Sequence, residues 1–450
     1  MSGTTTTKVL ATYDGYQADF DRLQGGADAV RASAALKSLR QDAMQHFHRL
    51  GFPTTRMEDW RFTSVAPIAS RPYALGGPVH VAADQISRFL IPDLPGARLV
   101  FVNGRFSPAL SETKAVPTGV DIQTLGDSLA GGLDAVEPYL GRLAVVAEQP
   151  FSALNTAFLQ DGALIRVDDG VVLEDPVHVL FISTAPGEAA VTHPRVLVVA
   201  GENSQVGIVE SYAGLRDTEY FTNAVTEIDA GAGSVVDHCK ILRESLHARH
   251  VGRMQARLAR NAVVLSHSIT LGAAALVRND ISAVLDGEGA ECTLNGLYVA
   301  GRNQHIDNHT TIDHASPHCA SHEFYKGILD GDGRAVFNGK IIVRLDAQKT
   351  DAKQSNKALL LSDQAQVNTK PQLEIFADDV KCSHGASVGQ LNEDMLFYLQ
   401  ARGLGRARAR RMLIHAFAID VLNRIRHEPL RTQLDLALLE RLPAAAEEPA

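Results

Sequence analysis

The sequence predicts a mainly β protein, with a β-solenoid core between helical regions at its two ends. From about Ala97, short runs rich in β-branched residues alternate with Gly, Asp and Asn turns, which is typical of many short strands. A turn motif also repeats, since Leu285-Asp-Gly-Glu-Gly returns further along the chain as Leu329-Asp-Gly-Asp-Gly. Finally, every second residue from Phe337 to Leu345 is apolar or glycine, which is the pattern of a half-buried strand.

The spacing of the turn motifs predicts the length of one coil. Successive turns lie at Asp229, Asp286, Asp330 and Asp363, so the steps between them are 57, 44 and 33 (286 − 229, 330 − 286, 363 − 330). All three steps lie near multiples of 11, so we expect a coil of about 22 residues and roughly a dozen turns. The open ends of such a coil must be capped by helices or paired with strands of a partner.

The N-terminal helical region is predicted to span residues 1–95. Within it, apolar residues from Leu36 to Leu50 follow the three-four spacing of one helical face, which predicts a helix over 31–50. Gly51 and Pro53 end this helix.

The solenoid core is predicted to span residues 96–390. Its clearest strand signals are runs of β-branched and apolar residues bounded by turn residues, at Ala97–Val102, Ala163–Val167, Val177–Ile182, Val196–Ala200 and Gln205–Glu210.

The C-terminal helical region is predicted to span residues 391–450. Asn392 is a good N-cap for a first helix, and a second helix runs from about Arg406 to Arg426. Pro429 opens a third helix, and the Ala/Glu/Pro-rich tail after Pro443 is predicted to be disordered.

Charge and cysteine content restrict the class of protein. The net charge of −9 disfavours a nucleic-acid-binding protein. The four cysteines (Cys239, Cys292, Cys319 and Cys382) form no CxxC pair and no zinc spacing, which fits a reducing compartment. No apolar signal-peptide segment and no stretch near the ~20 apolar residues of a membrane span is present, so we expect a cytoplasmic protein.

A local basic run is the exception to the acidic balance. It consists of Arg406, Arg408, Arg410 and Arg411. This run could meet an acidic partner, but a solvated first turn of a helix is at least as good an interpretation, and basic residues are mildly unfavourable at a helix N-terminus.

The single tryptophan lies in a charged segment. Trp60 is surrounded by Arg56, Glu58, Asp59 and Arg61. A docking or ligand surface is one interpretation. A tryptophan that anchors the N-terminal region, with its charged neighbours paired or solvated, is the favoured one.

Cys382 and His384 are the strongest candidate functional residues. Residues two apart in a strand face the same way, so the thiol and the imidazole are predicted to project side by side. A nearby histidine lowers the pKa of a thiol, which would make Cys382 a better metal ligand or sulfur acceptor. The alternative is a buried cysteine with a polar neighbour. A cysteine protease is disfavoured, because neither a second acid–base partner nor a nucleophile-elbow sequence is identifiable.

The densest group of metal-ligating residue types falls between residues 305 and 322. It comprises His305, Asp307, His309, Asp313, His314, His318, Cys319 and His322. Their spacings match no metal template, so outward-facing histidines on solenoid strands are the favoured interpretation. The sequence contains neither a GxxxxGK[ST] motif nor a GxGxxG between strand and helix, so any ATP used in its process is expected to bind another chain.

Motifs concentrated between Asn303 and Arg426 resemble the SufB/SufD family of iron–sulfur cluster assembly proteins, whereas residues 65–160 match no motif of this family. The resemblance rests on Gln304–His309, His314–His318, Tyr325–Leu329, Phe337–Lys340, Gln348–Leu361, Asp363–Pro371, Val380–Gly389 and Phe397–Gly403. Gly51–Pro53 with Glu58–Trp60 is similar to the N-terminal signature of the family. The small number of cysteines favours the SufD branch over the SufB branch.

The resemblance implies a right-handed parallel β-helix flanked by helical regions, and a non-enzymatic scaffold. A SufB-like paralogue would form a heterodimer with the chain, and a SufC-like ABC-type ATPase would dock on the C-terminal helices. A cysteine desulfurase and a sulfur shuttle would act indirectly, and the chain alone could form a homodimer. Neither nucleic acid nor membrane is an expected partner.

For the site, the resemblance implies that Cys382 and His384 lie near the paralogue interface and are candidate ligands of iron or of a nascent cluster. No cofactor is expected to bind the isolated chain tightly, the cluster at the interface would be transient, and flavin binding by the complex stays open. Two alternatives remain: a β-helix enzyme acting on carbohydrate or acyl substrates, which would need paired carboxylates or hexapeptide repeats, and a purely structural subunit with an inert Cys382.

Overall fold

The structure is a computed structural model. It describes residues 2–26, 33–113, 116–131, 136–185, 189–272 and 274–442, with no side-chain detail for 2–12 and 131. Strands take 40% of the chain and helices 24%, and the strands form a β-solenoid of about 8 turns, so the predicted fold class is confirmed. The predicted disorder of the tail after Pro443 lies outside the described residues.

The strands are labelled in chain order. They are β1 (Ala74–Leu75), β2 (Arg98–Val102), β3 (Arg105–Phe106), β4 (Val120–Thr124), β5 (Ala163–Val167), β6 (Val177–Ser183), β7 (Ala190–Thr192), β8 (Arg195–Ala200), β9 (Gln205–Gly214), β10 (Tyr220–Ala230), β11 (Val235–Arg243), β12 (Arg249–Leu258), β13 (Val263–Leu271), β14 (Leu276–Leu285), β15 (Glu291–Ala300), β16 (His305–His314), β17 (Ala320–Leu329), β18 (Arg334–Val343), β19 (Asp351–Leu360), β20 (Gln366–Ile375) and β21 (Lys381–Gly389).

Two parallel sheets form the walls of the solenoid. Sheet A has the strand order β20-β18-β16-β14-β12-β10-β8-β5-β4, and sheet B has the order β21-β19-β17-β15-β13-β11-β9-β6-β2-β3. Through most of the core the chain alternates between the sheets, so each strand pairs with the strand two positions later. As a result, β20 and β21 are the last strands of their sheets.

The coils are longer than predicted, and the solenoid has about 8 turns, so the prediction of roughly a dozen is wrong. Arg249 pairs with Leu276, and Leu276 pairs with His305, which gives steps of 27 and 29 along the chain (276 − 249 and 305 − 276). The predicted coil length was too short because the turn motif occurs at both corners of the coil and not once per coil. Asp286 follows β14 of sheet A, whereas Asp330 follows β17 of sheet B, so the segment between them covers about one and a half coils.

Side chains alternate between the interior of the solenoid and its outer faces. Alternate residues of β18 (Ala335, Phe337 and Gly339) face inward and stack on alternate residues of β16 and β20. The interior is one apolar cluster that extends from Leu99 and Phe101 near the first coil to Ala365. The period-two prediction for Phe337 to Val343 is confirmed, whereas Leu345 is an exposed corner residue.

Helices cover the first coils and one outer face. The helices before the C-terminal region are Ser2–Gly25, Ala34–Leu50, Ala66–Ala69, Ala83–Ile86, Leu125–Gly131 and Pro150–Ala157, and 3-10 turns span Glu58–Trp60 and Ser87–Phe89. The predicted helix over 31–50 is confirmed as Ala34–Leu50, with Ser33 as N-cap and Gly51 after its last turn.

Three C-terminal helices follow β21, as predicted. They span Glu393–Ala401, Arg406–Leu422 and Glu428–Arg441. The last two pack on the outer face of sheet B, where Ile414 and Leu434 join a buried apolar cluster with Ile269 and Ile328 of the strands. Among the described residues, none of the helices is both long and apolar enough to cross a membrane.

Candidate functional site

The Cys382–His384 pair lies on the terminal strand of sheet B. In β21, Cys382 pairs with Ala352 of β19 and His384 pairs with Gln354. Ala352 and Gln354 are buried residues of the solenoid interior, and register partners on parallel strands face the same way. Cys382 and His384 therefore share the inward face of the last coil, at the open end of the solenoid.

A corner turn fixes the start of β21. The Lys349 ammonium forms an ion pair with the Asp379 carboxylate, and the Lys349 N–H donates to the Asp379 carbonyl at 2.7 Å. In addition, the Asp379 N–H donates to the Oε1 atom of Gln348 at 2.9 Å. These bonds join the last two corners and hold β21 in register with β19.

Cys382 is a half-buried free thiol. It packs against the apolar cluster that contains Val343, Ala352 and Ala377. Burial raises the pKa of the thiol, and the Asp351 carboxylate raises it further, whereas a backbone hydrogen bond from Ala352 opposes the shift. The prediction that His384 lowers this pKa is therefore wrong for the chain alone, because desolvation outweighs any effect of the imidazole.

Beneath His384, the interior holds two buried polar side chains. Glu323 of β17 pairs in the ladder with Gln354, which pairs with His384. Gln354 is 4% exposed and Glu323 is 3% exposed, and the Gln354 amide donates to the Glu323 carboxylate. Burial raises the pKa of Glu323 to about 7, although the Gln354 hydrogen bond opposes this shift. His384 itself is exposed, and within the described part of the chain no further coil covers it.

A second polar link joins the two sheets below the open end. The Asn356 amide donates to the Thr369 hydroxyl across the sheets at 3.2 Å, and Tyr298 donates its hydroxyl to Asn356 at 3.2 Å. These hydrogen bonds link the last coils inside the solenoid, so they fix the interior side chains that lie beneath the open end.

The structure does not bring the residues between 305 and 322 into one site. His314 lies in the interior and bonds to Ser321, while His318 and His322 are exposed at a corner and on an outer face. Within the described ranges, no group of three or more His, Cys, Asp or Glu side chains is arranged to hold a metal ion. The favoured interpretation of outward-facing histidines is confirmed for His318 and His322, but it is wrong for His314, which is buried in the interior.

Two of these histidines instead belong to the anchor of the N-terminal region. His305 bonds to the Thr63 hydroxyl at 2.7 Å, and His309 lies 3.1 Å from Asp307. Asp307 in turn forms a buried 2.7 Å ion pair with Arg278.

Arg278 connects this cluster to the tryptophan. Its guanidinium lies 4.3 Å from the centre of the Trp60 ring and donates to the Asp59 carbonyl at 2.8 Å. Glu58 forms an ion pair with Lys370 of β20. The anchoring interpretation of Trp60 is confirmed, and among its charged neighbours Glu58 is paired with the outer face of sheet A.

Three of the four arginines in the basic run make contacts within the chain. Arg410 donates to the Leu361 carbonyl at 2.8 Å, and Arg411 donates to the Leu439 carbonyl at 2.6 Å. Arg406 lies 3.5 Å from Glu393. These contacts hold the second C-terminal helix against its neighbours.

Exposed apolar side chains concentrate at the open end and on the C-terminal helices. Ile375, Phe376 and Val388 lie at the end of the last coil, and Met395, Phe397, Tyr398 and Met412 lie on the first two C-terminal helices. Phe397 is 73% exposed. Apolar surface of this kind marks sites of protein association.

Sequence reasoning missed Glu323 and Gln354. Both are polar, and they lie one coil apart, a step of 31 along the chain (354 − 323). Gln354 lies one further coil before His384, a step of 30 (384 − 354). A coil of about 30 residues would have placed all three in one column, but the shorter predicted coil does not.

Comparison with protein-family models gives two matches that together cover most of the chain. Residues 17–179 match the SufBD protein N-terminal region, and residues 181–417 match the SufBD core domain of SUF system FeS cluster assembly.

Curated relatives match along nearly their full length. An iron–sulfur cluster assembly SufBD family protein of Synechocystis is 33% identical, with 93% of this chain and 96% of the relative aligned. The iron–sulfur cluster assembly protein SufD of Escherichia coli is 33% identical over 90% of this chain and 93% of its own length. SufD of Bacillus subtilis is 27% identical over 94% of this chain and 97% of its own length.

Proposed function

The chain belongs to the SufBD family of SUF iron–sulfur cluster assembly proteins, and on this premise we propose that it is the SufD-like subunit of an assembly scaffold. In this proposal the chain catalyses no reaction of its own. It pairs with a SufB-like paralogue, and the two chains together hold a cluster while it is built. A SufC-like ATPase supplies the energy for conformational change.

The observation that carries the proposal is the position of Cys382 and His384. A thiol and an imidazole share the inward face of a terminal strand, at an end of the solenoid that no other part of the described chain covers. Thiolate is a soft ligand and imidazole a borderline one, and both suit iron. Two ligands leave a cluster incomplete, so the remaining ligands must come from another chain or from sulfide.

The unpaired edges support a paralogue as that other chain. Both β20 and β21 present backbone groups without a neighbouring strand on one side among the described residues, and Ile375 and Val388 expose apolar side chains there. Such an edge is a template for association unless it is covered. A second solenoid that meets this end would bury the edge and enclose Cys382 and His384.

Enclosure also bears on the protonation of Cys382. Burial already raises the pKa of the thiol, and ligation requires the thiolate. Iron must therefore displace the proton, which makes binding more favourable as the pH rises. The cluster itself is cargo in this proposal, and it leaves the scaffold for an acceptor protein.

The C-terminal helices are the proposed docking site of the ATPase. Their most exposed apolar side chains are Phe397 and Tyr398. Their attachment to sheet B is firm, since Lys326 of β17 donates to the Phe417 carbonyl at 2.8 Å and to Asp420 at 2.9 Å. A movement of these helices would move sheet B, and hence β21, as one body.

A cytoplasmic location is part of the proposal. All four cysteines are free, which fits a reducing compartment.

The test is to co-express the chain with its paralogue and its ATPase and to measure the native mass and the iron and sulfide content of the purified complex. We expect a discrete three-component assembly. Cys382→Ala and His384→Ala should assemble to the same mass but carry several-fold less cluster. Normal clusters in both variants would remove the site assignment and leave a purely structural subunit. A chain that associates with neither partner would overturn the scaffold proposal.

A further inference from the structure

A column of three inward-facing polar side chains runs from the open end into the solenoid. His384 of β21, Gln354 of β19 and Glu323 of β17 occupy the same position of three successive coils. Neighbouring strands of a sheet lie about 4.8 Å apart, so each side chain lies above the next. Gln354 is thus the side chain directly behind the imidazole.

The amide of Gln354 has one partner and one free atom. Its Nε2 donates to the Glu323 carboxylate, whereas its Oε1 is buried and has no hydrogen-bond partner in the described part of the chain. A planar amide directs its oxygen and nitrogen apart. Nε2 is engaged on the β17 side, and the register partner of Gln354 on its other side is His384 of β21. Burying an acceptor without a hydrogen-bond partner costs free energy, so a donor that reaches this oxygen would stabilise the structure.

The backbone opposite makes room for this arrangement. Gly339 of β18 faces the pair, and a Cβ at this position would lie 2.1 Å from the Gln354 Nε2 and 3.0 Å from a Glu323 carboxylate oxygen. Any side chain at position 339 would displace the amide. Gly339 does not adopt a left-handed backbone conformation. Glycine is required here because the Gln354 amide occupies the place where a Cβ would lie.

The chemistry of metal-bound histidine supplies the missing donor. An imidazole that binds a metal through one ring nitrogen carries a proton on the other, and that N–H is almost always donated to an oxygen acceptor. The acceptor fixes the tautomer and the orientation of the ring. The structure offers a buried acceptor of this kind next to His384, which is the Oε1 atom of Gln354.

We propose that Gln354 is a positioning residue for His384: its Oε1 accepts the N–H of the imidazole when the other ring nitrogen binds iron, and Glu323 holds the amide in the orientation that this requires. The inference rests on the proposed role of His384 as an iron ligand. Gln354 and Glu323 touch neither iron nor sulfide, and they act only through His384. The neutral amide also accepts this bond without adding negative charge beside the cluster.

The test compares two changes in the co-purified three-component complex. Gln354→Met keeps the length of the side chain but removes the acceptor. The exchange E323Q/Q354E returns an oxygen acceptor to position 354, where an amide at position 323 can orient it. The readouts are the iron and sulfide content and the ¹⁴N coupling of the imidazole, measured by electron–nuclear double resonance on the chemically reduced cluster. Gln45→Met, an exposed change on the helix Ala34–Leu50, is the matched control.

We expect Gln354→Met to lower the cluster content about tenfold and to shift or broaden the ¹⁴N coupling. The exchange variant should stay within about twofold of the wild type and show one defined coupling, because a carboxylate oxygen accepts the same N–H. If Gln354→Met does not fold, the exchange variant alone tests the inference. An exchange variant that folds but shows no defined ¹⁴N coupling overturns it.

Two results separate this inference from the proposed function. Wild-type cluster content and coupling in Gln354→Met, together with cluster loss in His384→Ala, would overturn the role of Gln354 and leave the role of His384 intact. Normal clusters in His384→Ala would instead overturn the assignment of His384, and the inference with it.

Discussion

At the scale of single residues, the protein uses similar side chains in different ways according to their position on the coil. His384 stands exposed on the last strand, whereas His314 is buried and bonded to Ser321. Four cysteines are present, but only Cys382 is not fully buried. Burial raises the pKa of Cys239 well above its usual value and that of Cys319 as well. Only Cys382 combines partial exposure with a neighbouring imidazole at an open edge.

Asp307 gives a residue-scale prediction for stability. Although burial opposes its ionisation, the Arg278 guanidinium and the neighbouring His309 hold the pKa of this carboxyl well below its usual range. Asp307→Asn leaves the buried Arg278 with less compensating charge, so we expect it to lower the free energy of unfolding by about 3 kcal/mol at pH 7. Urea unfolding at pH 7 measures this change.

The pH dependence provides the control for this prediction. A lowered folded-state pKa gives stability that is fully present above the unfolded value of about 3.9 and is lost progressively as the pH falls from that value toward the lower folded-state pKa. The difference between the wild type and Asp307→Asn should therefore shrink between pH 6 and pH 3. Asp346→Asn, at an exposed position, should show no such difference at either pH. A pH-independent difference would contradict the ion-pair explanation.

At the scale of elements, local signals account for the C-terminal helices. The Asn392 side chain accepts from the Met395 N–H at 3.0 Å, as an N-cap does, and Glu393 and Asp394 occupy the first turn. The helix Ser2–Gly25 has no comparable signal, because its threonine run and Gly15 interrupt any apolar period. It is held by packing of Tyr16, Phe20 and Leu23 on the rest of the N-terminal region, which local sequence does not encode.

The exposed face of the first C-terminal helix gives an element-scale prediction. Phe397→Asp places a charge on the proposed ATPase-docking surface, so we expect at least a tenfold loss of ATPase in pull-downs with the tagged chain. Unfolding free energy should change by less than about 0.5 kcal/mol, because the side chain is exposed.

Leu246→Asp is the matched control, since Leu246 is an exposed apolar residue at the corner between β11 and β12 and not on the C-terminal helices. It should leave ATPase binding unchanged. Equal losses in both variants would mean that the effect does not come from the surface around Phe397.

At the scale of the whole molecule, the solenoid has one covered end and one open end. The first coils are covered by the N-terminal helices and by β4, which pairs antiparallel to β5. The last coil ends at β20 and β21 without such a cover among the described residues. The outer face of sheet A holds the Trp60 segment and that of sheet B holds the C-terminal helices. The open end is therefore the remaining place where a second solenoid can extend the core.

The open end gives the whole-molecule prediction. Val388 is 46% exposed on the inward face of β21. Val388→Lys would place a charge where the paralogue is proposed to pack, and we expect at least a tenfold loss of co-purified paralogue. The native mass of the tagged chain should fall accordingly.

Val145→Lys is the control. Val145 is similarly exposed, at 50%, but it lies far from Val388 in the chain, before β5. It should leave the complex intact. A normal complex in Val388→Lys would show that the partner does not cover this end.

The sequence by itself determined the class of fold, the positions of several strands, the C-terminal helices, the family and the Cys382–His384 pair. These features are local. Fewer than about ten consecutive residues encode each strand alternation, turn, helix cap or short motif. The tertiary structure alone decided the coil length, the Arg278–Trp60 anchor and the column that joins His384 to Gln354 and Glu323. Each of these depends on which residues meet one coil apart or across elements. The register of about 30 residues is fixed by how the corners pack, since local periodicity specifies the face of a side chain but not its neighbour on the next coil.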